Sequence, residues 1–411
     1  MFENIIGQTS IVGTLRQEVE SNSLPSAILF HGSPFTGKLS TALELARVLT
    51  CSREGKWSCT CPACRKQRLL IHPNTLLLGW RYFDMEIAAA ADSLRRTRRL
   101  SAQYLFVRAV RKLTRRFDPI IWEGEESKIR RIESTLTEIE EHLDTFEPVF
   151  PGEQVMDYQR LDRRLERVVA LAQTLSKSLS RENVPINQLR RASAWMHMTV
   201  LSGASTEREQ ASGTKIVILE GADRMYDSSS NYLLKLLEEP PPESYLVLIT
   251  TRRSALIPTV RSRLRPYSFG ERTPASQREV LQRIFHEQSD DYGDLREYFL
   301  YWQDVNPTRL KSLARRFIEA ALADEKDSVG EEVLAEIGEN LTPKTGRGFV
   351  SSFLEEILCQ LMVLLRGQAV DPFMLKRWNR TIRRHQHSFF TFNQQPSLIV
   401  ESLYYALRTV R

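Results

Sequence analysis

No apolar run in the sequence reaches the roughly 18–20 residues that a membrane-crossing helix requires. The opening Met1-Phe2-Glu3-Asn4 also lacks the basic-then-apolar order of a secretory signal, so the chain is expected to be cytoplasmic, with no membrane partner. Cysteine is scarce, with five in 411 residues, and four of them (Cys51, Cys59, Cys61 and Cys64) share one 14-residue window while Cys359 stands alone. In a reducing cytosol such bunching argues for a metal site over a disulfide framework. Charge of one sign is only mildly in excess. A net charge of +6 permits contact with nucleic acid without demanding it.

What is present suits a soluble globular chain: 42% apolar residues for real cores and 26% charged residues for a surface. The length is too great for one ordinary domain, and two to four are expected. Ile11–Glu20 carries helical periodicity, Ala27–Phe30 reads as a buried strand, and Ser40–Leu49 returns to helical spacing after a glycine-bearing loop. Ile216–Leu219 and Tyr245–Ile249 read as further buried strands, with a helix over Ser229–Glu239 between them that stops at Pro240-Pro241-Pro242. Strands alternating with helices predict an α/β fold with a parallel sheet covered on both faces. Beyond about residue 271 only helices are expected, most clearly Pro274–Phe285, Leu310–Leu322, Phe349–Leu365 and Pro396–Leu407.

Residues 80–182 have a different texture. Ile129, Ile132, Leu136, Ile139, Leu143 and Phe146 form one narrow apolar stripe, and Leu161, Leu165, Val168, Ala172, Leu175 and Leu179 form a second. Pro148 and Pro151-Gly152 lie between them, which predicts a helical hairpin. Ahead of it run Arg95, Arg96, Arg98, Arg99, Arg108, Arg111, Lys112, Arg115 and Arg116. The segment is read either as a helical decoration or as a surface for DNA phosphates or an acidic partner.

Gly32-Ser33-Pro34-Phe35-Thr36-Gly37-Lys38-Leu39 matches the phosphate-loop pattern up to its last position. In a working loop, backbone N–H groups and the lysine hold phosphates, and the next hydroxyl holds Mg²⁺. Leu39 has no hydroxyl, and Ser40 comes one residue late, about 100° around the helix. Gly32, Thr36, Gly37, Lys38 and Ser40 therefore mark a degenerate site where ATP or ADP binding is doubtful. An ATPase of this class ends its second strand in Asp-Glu, one for Mg²⁺ and one for water. Here the strand ends in Glu220-Gly221.

These residues resemble a known family, the AAA+ clamp-loader subunits of bacterial DNA polymerase III. The resemblance rests on Phe2–Gln8, on Leu24–Gly32, on Leu233-Leu234-Lys235-Leu236-Leu237-Glu238-Glu239-Pro240-Pro241 and on Thr259-Val260-Arg261-Ser262-Arg263-Leu264. It extends to Asn393–Leu398 with Glu401 and Leu403. Degenerate nucleotide motifs beside an intact Ser262-Arg263 are similar to the delta-prime type. The resemblance implies an AAA+ domain over 1–79 and 183–270, a helical lid over 271–325 and a helical collar over 326–411. It also implies a hetero-pentamer with ATPase motor subunits and a delta-type subunit, acting on a sliding clamp and primer-template DNA. Arg263, with Ser262, would act in trans on a neighbour's ATP, and Arg309 would fall where the lid's sensing arginine lies. Two other readings stay open: an active gamma/tau-type ATPase, and a non-catalytic DNA-binding or scaffold protein.

Cys51, Cys59, Cys61 and Cys64 could give Zn²⁺ four thiolates in a closed structural site. The Cys59-x-Cys61 spacing is tight, and His72 is a conceivable substitute ligand. The family has a four-cysteine zinc module at this point, with wider spacing.

Overall fold

The computed structural model describes residues 1–147, 158–180, 184–198, 213–288, 292–302, 306–323, 328–341, 346–366, 371–392 and 394–409. The Pro148 to Gly152 break and Asn393 lie outside the described residues. The chain divides into two compact units, Met1–Leu295 and Arg296–Arg411.

The first unit is built on five strands: β1 (Ala27–Gly32), β2 (Thr75–Leu78), β3 (Lys215–Glu220), β4 (Ser244–Thr250) and β5 (Arg265–Phe269). All pair in parallel, in the order β2-β3-β4-β1-β5. The sequence anticipates β1, β3 and β4. It does not anticipate β2, only four residues long, or β5, which contains Pro266. A proline is tolerated in β5 because the strand lies at the sheet edge.

A parallel sheet buries both faces, and the two-residue period of a strand sorts its side chains between them. Ile28, Phe30, Leu77, Ile216, Ile218, Val247 and Ile249 face one core. Leu29, Leu76, Leu78, Val217, Leu219, Leu246 and Leu248 face the other. Five helices of this unit position the site: α1 (Thr9–Glu20), α2 (Lys38–Leu49), α3 (Pro62–Arg68), α4 (Phe83–Thr97) and α5 (Leu100–Thr114). The first core takes Ile11 and Leu15 of α1 with Leu39, Leu43 and Ala46 of α2.

The second core is closed by the segment read as an insertion. Ile87 and Leu94 of α4 and Phe106 and Leu113 of α5 share one cluster with the sheet. Ile139, Leu143 and Phe146 of the first stripe and Leu161, Leu165, Val168 and Leu175 of the second join the same cluster. The stripes form helices Glu133–Asp144 and Tyr158–Ser176, with Ile129 in a separate short helix, Glu126–Arg130. Each such buried aliphatic side chain contributes roughly 1.5–3 kcal/mol. These helices are part of the first unit's core rather than an appendage on it.

The second unit is helical. Leu310, Phe317 and Ala321 share one core with Val333, Phe353, Trp378 and Tyr404, so this compact unit spans the 325/326 division expected from sequence. One sequence expectation is corrected here. Gly348–Leu365, within the helix Gly346–Arg366, has a mean hydropathy of 1.6 and is long and apolar enough to cross a membrane. Half of that stretch is buried, with Val350, Phe353, Leu354 and Ile357 in the core of the unit. A core helix passes the same test of length and composition.

Candidate functional site

β1 ends at Gly32, and α2 begins at Lys38 after a turn in which Gly37 takes a left-handed φ of 92°. That conformation favours glycine, and a Cβ there would also stand 2.6 Å from Arg272 Nη2. The Lys38 ammonium folds into its own loop. It donates to the carbonyl oxygens of Gly32 (2.8 Å) and Ser33 (2.5 Å) and to Thr36 Oγ1 (3.1 Å). Burial lowers its pKa to about 8, although Glu220 and Asp223 pull the other way.

The loop is also fastened from outside. Gln8 Nε2 donates to the carbonyls of Thr36 (3.2 Å) and Gly270 (2.9 Å). Arg272 donates to the carbonyls of Phe35 and Ile6, and Ser33 Oγ donates to Glu271 (3.2 Å). Leu39 points into the core, 6% exposed, while Ser40 is exposed.

Glu220, at the carboxyl end of β3, is taken up by arginines. Arg116 Nη2 lies 2.5 Å from Oε2, and Arg81 Nη1 lies 3.7 Å from Oε1. Arg116 also donates to the Leu78 carbonyl at the end of β2 (2.6 Å). Arg81 reaches Glu86 at 3.0 Å, and Lys112 pairs with the same carboxylate. Burial alone would raise the Glu86 pKa, but Arg81 and Lys112 bring it down to about 2. Asp223, two residues past Gly221, accepts from Thr250 Oγ1 (2.7 Å) and Arg252 Nε (2.9 Å). Arg81, Asp223, Thr250 and Arg252 were not singled out by sequence, and Arg116 was counted only in a basic run.

That basic run divides in two. Arg108, Arg111 and Arg115 donate to carbonyls of Arg68 (2.7 Å), Leu69 (3.1 Å) and Thr75 (3.2 Å), and Arg116 and Lys112 are buried against carboxylates. These five serve the fold. Arg95, Arg96, Arg98 and Arg99 remain exposed at the turn between α4 and α5. Of these, Arg95 pairs with Asp162 (3.2 Å) and Arg96 with Asp92 (2.5 Å) and Glu287 (3.2 Å).

Arg263 follows the short helix Pro258–Ser262 and precedes β5. Its guanidinium is exposed, held by Glu238 (2.8 Å) and by the Thr259 carbonyl (3.0 Å), which also accepts from Ser262 Oγ. Strand register fixes its distance from the loop. Arg265 pairs with Ile28 and Phe269 with Gly32, so Arg263 sits at the amino end of the sheet and the loop at the carboxyl end. β5 itself, Arg265–Phe269, spans about 13 Å, and Arg263 stands two residues before it in a helical conformation. Arg309 lies in the second unit, where it pairs with Glu339 (3.4 Å) and Glu336 (3.8 Å).

The four sulfur atoms of Cys51, Cys59, Cys61 and Cys64 all lie within 4.8 Å of one another. Cys51 Sγ is 3.6 Å from that of Cys59 and 3.9 Å from that of Cys61. A tetrahedral site with Zn–S bonds of 2.3 Å has edges of about 3.8 Å, so the set fits zinc. Burial pushes the Cys51 and Cys64 thiols up, whereas at Cys61 it is outweighed by N–H donors at Cys64 and Ser52, which bring that thiol down to about 6, so Cys61 is the thiol already disposed to ionise. Arg47 Nη1 donates to Cys64 Sγ (3.1 Å) while bonding Glu44 (2.6 Å), so the cluster is tied to α2. His72 is not in the group; its Nδ1 accepts from the Asn74 N–H (3.1 Å).

The family described as DNA polymerase III, delta subunit, matches residues 7–119 and 182–273. The match carries on past residue 80 to 119 and leaves 120–181 outside it. A DNA polymerase III subunit delta′ from Pseudomonas aeruginosa is 43% identical over 63 residues, covering 15% of this chain and 19% of that one. The delta′ subunit of Escherichia coli is 41% identical over 59 residues, 14% of this chain and 18% of that one. A gamma/tau subunit from Mycobacterium tuberculosis is 34% identical over 70 residues, 17% of this chain and 12% of that one. The matched segments span less than a fifth of each of these relatives. With its phosphate-loop architecture on a parallel sheet, the chain belongs to the clamp-loader family of DNA polymerase III subunits, and within it to the delta-prime type.

Proposed function

We propose that this chain serves as the delta-prime subunit of a replicative clamp loader, hydrolysing no ATP itself and offering Arg263 to the ATP of a neighbouring subunit. The observation that carries the reading is the opposition of the two sites. Arg263 stands exposed at the amino end of β5, while Lys38 and Glu220 are engaged by protein groups at the carboxyl ends of β1 and β3. With its backbone beyond the opposite end of a strand about 13 Å long, the guanidinium on this reading serves a phosphate on another chain. An arginine so supplied neutralises charge that develops on the transferring phosphoryl group.

Its partners on this reading are ATPase motor subunits and a delta-type subunit in a hetero-pentamer, working in the cytoplasm on a sliding clamp and primer-template DNA. The four-cysteine module holds structural Zn²⁺, with no open position for chemistry. Collar contacts fall to 326–411 and lid contacts to 271–325. Gly32, Thr36, Gly37, Lys38 and Ser40 keep at most a weak phosphate site.

An ATPase assay on the purified chain tests the cis half of the proposal. No turnover above a mock preparation is expected. Turnover abolished by Lys38→Ala would replace this reading with that of an active gamma/tau-type subunit.

A further inference from the structure

Glu220 retains the strand-end carboxylate that would hold a divalent cation, yet it already has cations of its own. Arg116 is 1% exposed and held at two points, since the same guanidinium is bonded to the Leu78 carbonyl and to Glu220. Arg81 approaches from the opposite oxygen and is anchored by Glu86, which Lys112 in turn holds. The backbone packs tightly here as well. A Cβ on Gly79 would stand 2.0 Å from the Glu220 carbonyl oxygen, so Arg81 enters on a segment pressed against the end of β3. Asp223, the other carboxylate that Lys38 feels, is engaged at one oxygen by Thr250 and at the other by Arg252. The hydroxyl that would complete a metal site is replaced by the buried Leu39.

We propose that Arg116 and Arg81 form a built-in cation that replaces Mg²⁺ at Glu220, making this site unable to take a divalent metal. The proposal rests on the reading of Gly32–Lys38 as a retired nucleotide loop but is independent of the role of Arg263. A guanidinium pair supplies the charge that Glu220 needs while presenting no open coordination position, and a third cation at the same carboxylate would meet like charge on both sides. Loss of catalysis in cis is then a substitution of charge and not only a set of missing ligands. The arginine that makes it comes from the segment just after α5, which also closes one face of the sheet.

Mn²⁺ titration followed by electron paramagnetic resonance, on the full chain with ADP, tests this directly. The native chain is expected to leave the free Mn²⁺ signal at the level of a protein-free Mn²⁺–ADP control at millimolar concentration. The Arg81→Met/Arg116→Met variant is expected to bind one Mn²⁺, and adding Glu220→Gln is expected to abolish that binding. Glu220-dependent binding of Mn²⁺ by the native chain would overturn the proposal. So would a double variant with native circular dichroism that still binds none. If that variant does not fold, Arg81→Met alone decides: a gain in Mn²⁺ affinity over the native chain supports the proposal, and no gain overturns it. The loader ATPase assay with Arg263→Ala reads the in-trans role separately.

Discussion

At the carboxyl ends of β1 and β3, charged groups face one another. Lys38 is wrapped by carbonyls of its own loop, and Glu220 lies between Arg116 and Arg81. At the amino end of β5, Arg263 is exposed and held by one carboxylate that is itself half exposed. Arginine thus appears in two states on one sheet. Buried Arg116 is fixed by partners it cannot lose cheaply, whereas the exposed Arg263–Glu238 pair can part at little cost. On the proposed reading, the comparison teaches that a nucleotide-binding fold can give up its own metal chemistry at one end and present a guanidinium at the other. Strand direction keeps the two apart.

The largest expected effect concerns the four-cysteine cluster that follows α2, which on the proposed reading holds zinc. Structural zinc in such modules binds with about 10–16 kcal/mol, so chelation should release one Zn²⁺ per chain and lower the melting temperature by many degrees. Because Arg47 ties Cys64 to α2, Cys64→Ser should loosen the same region. A preparation with no zinc by elemental analysis and an unchanged melting curve after chelation would remove this module from the account.

The two arginines should then part company in stability. Arg116→Met leaves Glu220 with its closest partner gone and should cost about 3–5 kcal/mol in chemical denaturation, largely recovered by adding Glu220→Gln. Arg263→Met should fall within about 0.5 kcal/mol of the native chain. Equal costs would break the comparison.

Leu39→Ser should cost about 2–4 kcal/mol, since a buried leucine is lost and a hydroxyl gained in the core. It should bring no ATP turnover, because Glu220 remains held by Arg116. Turnover in that single variant would show that only the missing hydroxyl had silenced the site.

A smaller effect concerns pH. The unfolded chain keeps a lysine protonated up to about 10.5, and the folded loop keeps Lys38 protonated only to about 8. Between those values unfolding takes up a proton, so stability rises with pH across that window, while below pH 8 the cost of burying the charge is fully present. Lys38→Met should flatten this part of the stability profile. A profile unchanged by the substitution would mean that the ammonium is solvated.

Much of this was legible in the sequence. The Gly32–Lys38 loop, the strands β1, β3 and β4 and the cysteine cluster all announced themselves by spacing, because strand–loop–helix order and thiolate grouping are local properties. Leu39 and Gly221 were legible as absences. The fate of the basic run was not. Arg108, Arg111, Lys112 and Arg116 lie among Phe106, Val107, Ala109, Val110 and Leu113, so α5 carries buried apolar residues over most of its circumference. A helix of that kind is buried all round, and its cations must find partners inside. Their partners, Glu86, Glu147 and Glu220, are distant in sequence, so no local pattern could pair them. β5 stayed hidden because an edge strand with three exposed positions, Pro266 among them, breaks the apolar run that marks a central strand.

The most direct test of the central claim is ATP hydrolysis by a reconstituted loader carrying either of two substitutions in this subunit. With Arg263→Ala, turnover at the served site should fall by on the order of 10³-fold or more, as for other arginines supplied in trans. With Lys38→Ala it should stay at the native rate. Full activity with Arg263→Ala, or loss of activity with Lys38→Ala, would contradict the account.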